Sequence, residues 1–128
     1  MRITIDFDDT LTKPHIQELA KKLVKRHEVY ILTSRLDSLY RKAHRHLHSN
    51  DDIYETAEKV GIKPQNVVFT NQASKLEHIH RGRVGLHIDD NEAELKNISA
   101  LSQCKGFSAL DPEVATDVLE YLKEELNG

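Results

Sequence analysis

Short β-rich runs alternate with segments of helical period along the whole of this chain, and that alternation restricts the folds open to it. "RITIDF" comes first, and "HIQELAKKLVKR" follows with apolar residues at Ile16, Leu19, Ala20, Leu23 and Val24, the spacing of one helical face. "EVYILT" is a second β-rich run. "RLDSLYRKAHRHLHS" and "DDIYETAEKVG" then read as two helical pieces, the latter ended by Gly61, before a third strand in "NVVFT". "SKLEHIHR", "RVGLHI" and "NEAELKNISALS" continue as helix, strand and helix. "CKGFSAL" reads as a short edge strand, and "DPEVATDVLEYLKEEL" as a terminal helix with Asp111 as N-cap and Pro112 at its first position. Strands separated by helices imply a parallel sheet covered on both faces, so the expected fold is an open, doubly wound α/β domain. No repeat, linker or low-complexity tract interrupts the pattern, which predicts a single domain over residues 1–128.

In such sheets ligands bind beyond the carboxyl ends of the strands, near the point where strand order reverses. The residues following the expected strands are Asp6, Asp8 and Asp9; then Thr33, Ser34 and Arg35; then Thr70 and Asn71; then Asp89, Asp90 and Asn91. Five are carboxylates. Three of these fall within "DFDDT", where like charges repel and lose hydration as they approach a core, so something must compensate them. Carboxylates from two strand ends are the hard oxygen ligands that Mg²⁺ prefers, and an ion there offsets their repulsion. Thr33 and Ser34 supply hydroxyls for a phosphate, and Lys75, fourteen residues before Asp89, supplies a positive charge. An Asp beside a metal and a cation can attack phosphorus while a second carboxylic acid protonates the leaving alkoxide, roles that Asp6 and Asp8 can divide. Lys63 competes with Lys75 for the cationic role, but it precedes the third strand and is expected at the other end of the sheet.

Composition narrows the partners. With 18 basic against 21 acidic residues the net charge is −3, which offers no extended surface for a nucleic-acid backbone, although a nucleotide substrate is not excluded. No apolar run approaches the roughly 20 residues of a membrane span, the start lacks the apolar core of a signal peptide, and the single Cys104 has no partner for an internal disulfide. The expectation is a cytoplasmic protein with no membrane partner.

The motifs together resemble the haloacid-dehalogenase (HAD) superfamily. "ITIDFDDTLT" resembles its first motif, DxDxT after an apolar strand; "VYILTS" its second; "SKLEHI" its third, with the lysine; and "VGLHIDDN" its acidic fourth. They occur in the family's order over residues 3 to 91 of 128. The resemblance implies a Rossmann-like three-layer sandwich and a Mg²⁺-dependent phosphatase. Asp6 would be the nucleophile, Asp8 the general acid and base, Thr33 the phosphate binder and Lys75 the charge that steadies nucleophile and phosphoryl group. Thr10, Ser34 and Arg35 are assigned to substrate binding, and Mg²⁺ to Asp6, Asp8 through its backbone carbonyl, Asp89 and Asp90. Many members have Gly where this chain has Asp9. The spacings between motifs leave no room for a cap domain. Such members take either macromolecular phosphoesters or small phosphorylated substrates enclosed by a neighbouring subunit of a homo-oligomer.

Simpler readings stand beside these. Asp at a strand end also serves turns and helix caps, and Ser34 suits an N-cap. His44, His46 and His48, with Arg41 and Arg45, suit a solvated helix face, and Cys104 a small buried residue. A response-regulator receiver also has this length, an acidic pair, a Thr, a Lys and a phosphorylated Asp, but places that Asp after the third strand, where this chain has Thr70 and Asn71. A catalytically silent binding module with the same fold is the third alternative.

Overall fold

A computed structural model describes residues 1–37 and 49–127. Of the helix expected over 35–49, residues 38–48, with Arg41, His44, Arg45, His46 and His48, lie outside the described residues, and 35–37 and 49 are not helical.

Five strands, β1 (Arg2–Ile5), β2 (Glu28–Thr33), β3 (Val67–Phe69), β4 (Leu86–Asp89) and β5 (Lys105–Ser108), form one sheet in the order β3-β2-β1-β4-β5. Every neighbouring pair is parallel. The helices are α1 (Pro14–Leu23), α2 (Asp51–Val60), α3 (Leu76–Arg81), α4 (Glu92–Leu101) and α5 (Val114–Asn127). The fold is thus α/β, a parallel sheet flanked by helices, as the alternation predicts. α5 becomes regular three residues after its expected cap. Asp111 Oδ1 accepts from the Glu113 amide at 2.9 Å and the Asp111 carbonyl from Val114 at 3.1 Å, so Asp111 closes a preceding turn. Gly61 ends α2 at φ 91°, a conformation open to a residue without a Cβ.

Side chains alternate across each strand, and the two faces differ in chemistry. Ile3, Ile5, Val29, Ile31, Leu86 and Ile88 pack in one cluster with Ile16 and Leu19 of α1, Ile53 and Ala57 of α2, and Val114 and Val118 of α5. A fully buried Ile or Leu contributes about 1.5–3 kcal/mol relative to exposure, so this face carries most of the apolar stabilisation. The opposite face has a smaller cluster, Leu32, Ile79 of α3, Ile98 of α4 and Cys104. Burial pushes the Cys104 thiol up to about 12. On this second face the strands also carry polar residues: Thr4 in β1, and His87 and Asp89 in β4, all buried.

The chain builds β2 and β3 outward on one side of β1, then returns to lay β4 and β5 on the other. Strand order therefore reverses between β1 and β4, and the crevice beyond their carboxyl ends is the ligand site that parallel sheets of this kind provide.

Candidate active site

Asp6 extends β1 by one residue, its amide donating to the Ile88 carbonyl at 2.9 Å, so its backbone is held between the central strands. Residues Phe7–Leu11 then form a wide turn, closed by Leu11 N donating to Asp6 O and Thr12 N to Phe7 O. Within it Asp9 takes φ 57°, a left-handed conformation that Gly adopts freely and Asp tolerates better than most residues; its side chain is exposed. The turn buries Thr10, whose hydroxyl lies 3.1 Å from Asp6 Oδ2 and 3.2 Å from Asp90 Oδ1. Thr10 is thus tied to the carboxylates.

Lys75 arrives from the β3–α3 loop. Thr70 N donates to Thr33 O, Asn71 N to Arg35 O and Gln72 N to Ser34 O, which stitch this loop to the one after β2. Asn71 and Gln72 turn it through left-handed backbone at φ 54° and 68°. The Lys75 amide then donates to Glu94 Oε1 at 2.7 Å, and Glu94 is fixed in turn by its own amide donating to Asn91 Oδ1, the cap of α4. Lys75 Nζ donates to Asp6 Oδ1 and to Asp89 Oδ2, each at 2.7 Å, and all three residues are at most 5% exposed. Lys63 is exposed ahead of β3.

Two carboxylates sharing one buried cation titrate unequally. Burial pushes the Asp6 carboxyl up from 3.8 to about 7, with Lys75 pulling against the rise and Asp89 adding to it. Burial acts on Asp89 in the same sense, but His87 and Lys75 outweigh it and hold Asp89 below the usual carboxylate range. The two donors on Asp89 favour its charged form, whereas burial dominates at Asp6, so the two carboxyls are displaced in opposite directions. Burial disfavours the charged form of Lys75, yet Asp6 and Asp89 overcome this and raise it. For His87 burial wins, and its imidazole is lowered toward the neutral form.

A second network lies at the rim. Asp8, next in the turn, is exposed, and Arg35 grips both its oxygens, Nε to Oδ2 at 3.0 Å and Nη2 to Oδ1 at 2.7 Å. Arg35 also donates to Asp52 Oδ1 at 2.8 Å and Oδ2 at 2.9 Å in the first turn of α2, and its guanidinium lies 5.0 Å from the Phe7 ring centre. A bidentate guanidinium thus engages both oxygens of the Asp8 carboxylate. Thr33 is fully buried, its hydroxyl accepting from the Arg35 amide at 3.3 Å. Ser34 is exposed and lines a cavity of about 300 Å³ with Lys75, Gln72, Ser74 and Asn91. Of the two adjacent hydroxyl residues after β2, it is Ser34 that lines this cavity, together with Ser74.

Carboxylate oxygens of Asp6, Asp89 and Asp90 lie within 4.8 Å of one another. An all-oxygen carboxylate set suits a hard divalent cation, and a positive charge there would favour the ionised form of Asp6. No family model and no curated protein matches the chain.

Four residues at the site escaped the reading of the sequence: Thr4, His87, Glu94 and Asp52. For the first two a signal exists. Thr4 stands two residues before Asp6 and His87 two before Asp89, and the strand period places each on the face of its carboxylate. Asp52 and Glu94 look like ordinary acidic residues in a first helical turn.

Proposed function

We propose that the chain is a Mg²⁺-dependent phosphoric monoester hydrolase of the haloacid-dehalogenase type, without a cap domain, acting through an aspartyl-phosphate on Asp6. The observation that carries this reading is the buried Asp6 at the switch point, 2.7 Å from the Lys75 ammonium and grouped with Asp89 and Asp90. A structural ion pair needs no third carboxylate, and clustered strand-end acids with displaced pKa values are a mark of chemistry.

In the first step an Asp6 oxygen attacks phosphorus, the bond to the leaving oxygen breaks, and Asp8 gives that oxygen its proton. In the second step Asp8 takes a proton from water, the water oxygen attacks phosphorus, and the Asp6 carboxylate leaves with inorganic phosphate as product. Lys75 holds Asp6 in position and offsets negative charge on the transferring group, and Ser34 at the cavity offers its hydroxyl to a phosphoryl oxygen. Held by Asp6, Asp89 and Asp90, Mg²⁺ would neutralise the cluster and polarise the phosphoryl group. Asp8 must leave Arg35 to carry a proton. A doubly charged phosphate is a strong competitor for a bidentate guanidinium, so substrate itself frees Asp8 while Asp52 keeps Arg35 in place.

The strand order speaks against a receiver-type phosphoacceptor, whose order is 2-1-3-4-5. The test is release of inorganic phosphate from an aryl phosphate, with and without Mg²⁺. Turnover is expected to need the metal, to vanish in Asp6→Asn, and to fall about 10²–10⁴-fold in Asp8→Asn. Asp6→Asn working at the wild-type rate would end the proposal.

A further inference from the structure

His87 occupies the middle of β4 with no exposed surface, between Leu86 and Ile88, and no step of the proposed reaction uses it. A Leu or Ile would fill such a position without burying polar atoms, whereas a buried imidazole must find partners for both nitrogens. It finds them. The β1–β4 register sets Thr4 opposite His87, and Nδ1 lies 2.7 Å from Thr4 Oγ1. Nε2 lies 2.8 Å from Asp89 Oδ2. An ionised carboxylate only accepts, so Nε2 carries the hydrogen, and a neutral ring then accepts the Thr4 hydroxyl hydrogen at Nδ1. Asp89 Oδ2 also accepts from Lys75, and Oδ1 accepts from the Asn91 amide at 3.0 Å. The carboxylate is thus held on both oxygens, with His87 the donor that comes from within the sheet.

We infer that Thr4 and His87 are positioning residues for the carboxylate cluster. His87 fixes the rotation of Asp89 through Oδ2, Thr4 fixes the rotation of His87 through Nδ1, and together they set how tightly the cluster holds a divalent cation. Partners behind ligating groups act in this way, and their loss weakens metal binding about 10- to 100-fold. The inference rests on the metal site of the proposed function. The competing account is a core histidine whose hydrogen bonds serve packing alone.

The experiment is calorimetric titration with Mg²⁺ of the wild type, His87→Leu, His87→Gln, Thr4→Val and the Thr4→Val/His87→Leu double variant, each also followed by thermal unfolding. His87→Leu should bind about 10- to 100-fold more weakly. His87→Gln, whose amide keeps a donor for Oδ2, should recover most of that affinity whatever its thermal stability. Thr4→Val should show a smaller loss, and the double variant should be no worse than His87→Leu, because Thr4 acts through the ring. Nitrogen-15 NMR of the wild-type ring should show hydrogen on Nε2. Wild-type affinity in folded His87→Leu, or hydrogen on Nδ1 alone, would overturn the inference. If His87→Leu does not fold, Thr4→Val decides, and unchanged affinity there overturns it. A wild type that binds no Mg²⁺ would overturn the metal site itself, a result distinguishable from the others.

Discussion

Lys75 and Arg35 each bridge two carboxylates at the same edge of the sheet, one out of water and the other in it. The side chains of Lys75, Asp6 and Asp89 are 6%, 8% and 1% exposed, against 25%, 51% and 53% for Arg35, Asp8 and Asp52. The rim bridge has more hydrogen bonds, four against two, yet burial decides what each arrangement does. In the buried cluster every charge depends on its partners and protonation is displaced: Asp6 is pushed up and Asp89 held down. At the rim water screens the charges, so partners can exchange at little cost. One network is suited to hold its geometry and the other to let go, which is what the proposed roles of Asp6 as nucleophile and Asp8 as proton donor would require.

Removing one member of each network breaks the comparison most directly. Lys75→Met leaves two buried carboxylates without their shared cation, and urea unfolding of the metal-free protein should show a loss of about 3–5 kcal/mol. Added Mg²⁺ should restore part of it.

Protonation sharpens the comparison at a smaller scale. Asp6 binds a proton more tightly in the folded chain, at about 7 against 3.8. Between those values the folded state holds more protons than the unfolded, so this group's contribution to stability declines as pH rises. Asp89, held low, contributes in the opposite sense, with stability present above 3.8 and lost as pH falls below it. On the proposed metal site, Mg²⁺ would compete with a proton for Asp6. Calorimetry in buffers of different ionisation enthalpy should show close to one proton released at pH 6 and little at pH 8, with apparent affinity falling about tenfold per pH unit below 7.

The smallest effect belongs to the rim. Asp52→Asn should cost no more than about 1 kcal/mol, a difference that fades in high salt. Turnover should respond through KM rather than kcat, since Arg35 loses its anchor and not its charge. A loss comparable to that of Lys75→Met would mean that the two networks do not differ as described.

The same distinction explains what the sequence disclosed. Strand and helix order, the parallel sheet and the carboxylates at the strand ends were legible, because apolar periodicity and polar strand ends are local signals. Lys75 could be preferred to Lys63 from strand direction alone. The resemblance assigns phosphate to Thr33, whereas the cavity is lined by Ser34 and Thr33 is buried, since which of two adjacent hydroxyls faces a crevice depends on how the backbone turns after the strand. Asp8 reads as a general acid and base, but its pairing with Arg35, 27 residues distant, which also grips Asp52 of α2, has no local signal. His87 was read as one more residue of a strand, because its meaning depends on Thr4 across the register and Asp89 beyond it. Long-range pairing of this kind is written in topology rather than in neighbouring residues.

Whether Asp6 carries the phosphoryl group is decided by acid-quenched trapping during turnover of a labelled aryl phosphate with Mg²⁺. The account predicts a hydroxylamine-labile phosphate that maps to Asp6, accumulates when Asp8 is replaced by Asn, and is absent from Asp6→Asn. Steady turnover with no phosphate on Asp6, or with the label on another residue, would contradict it.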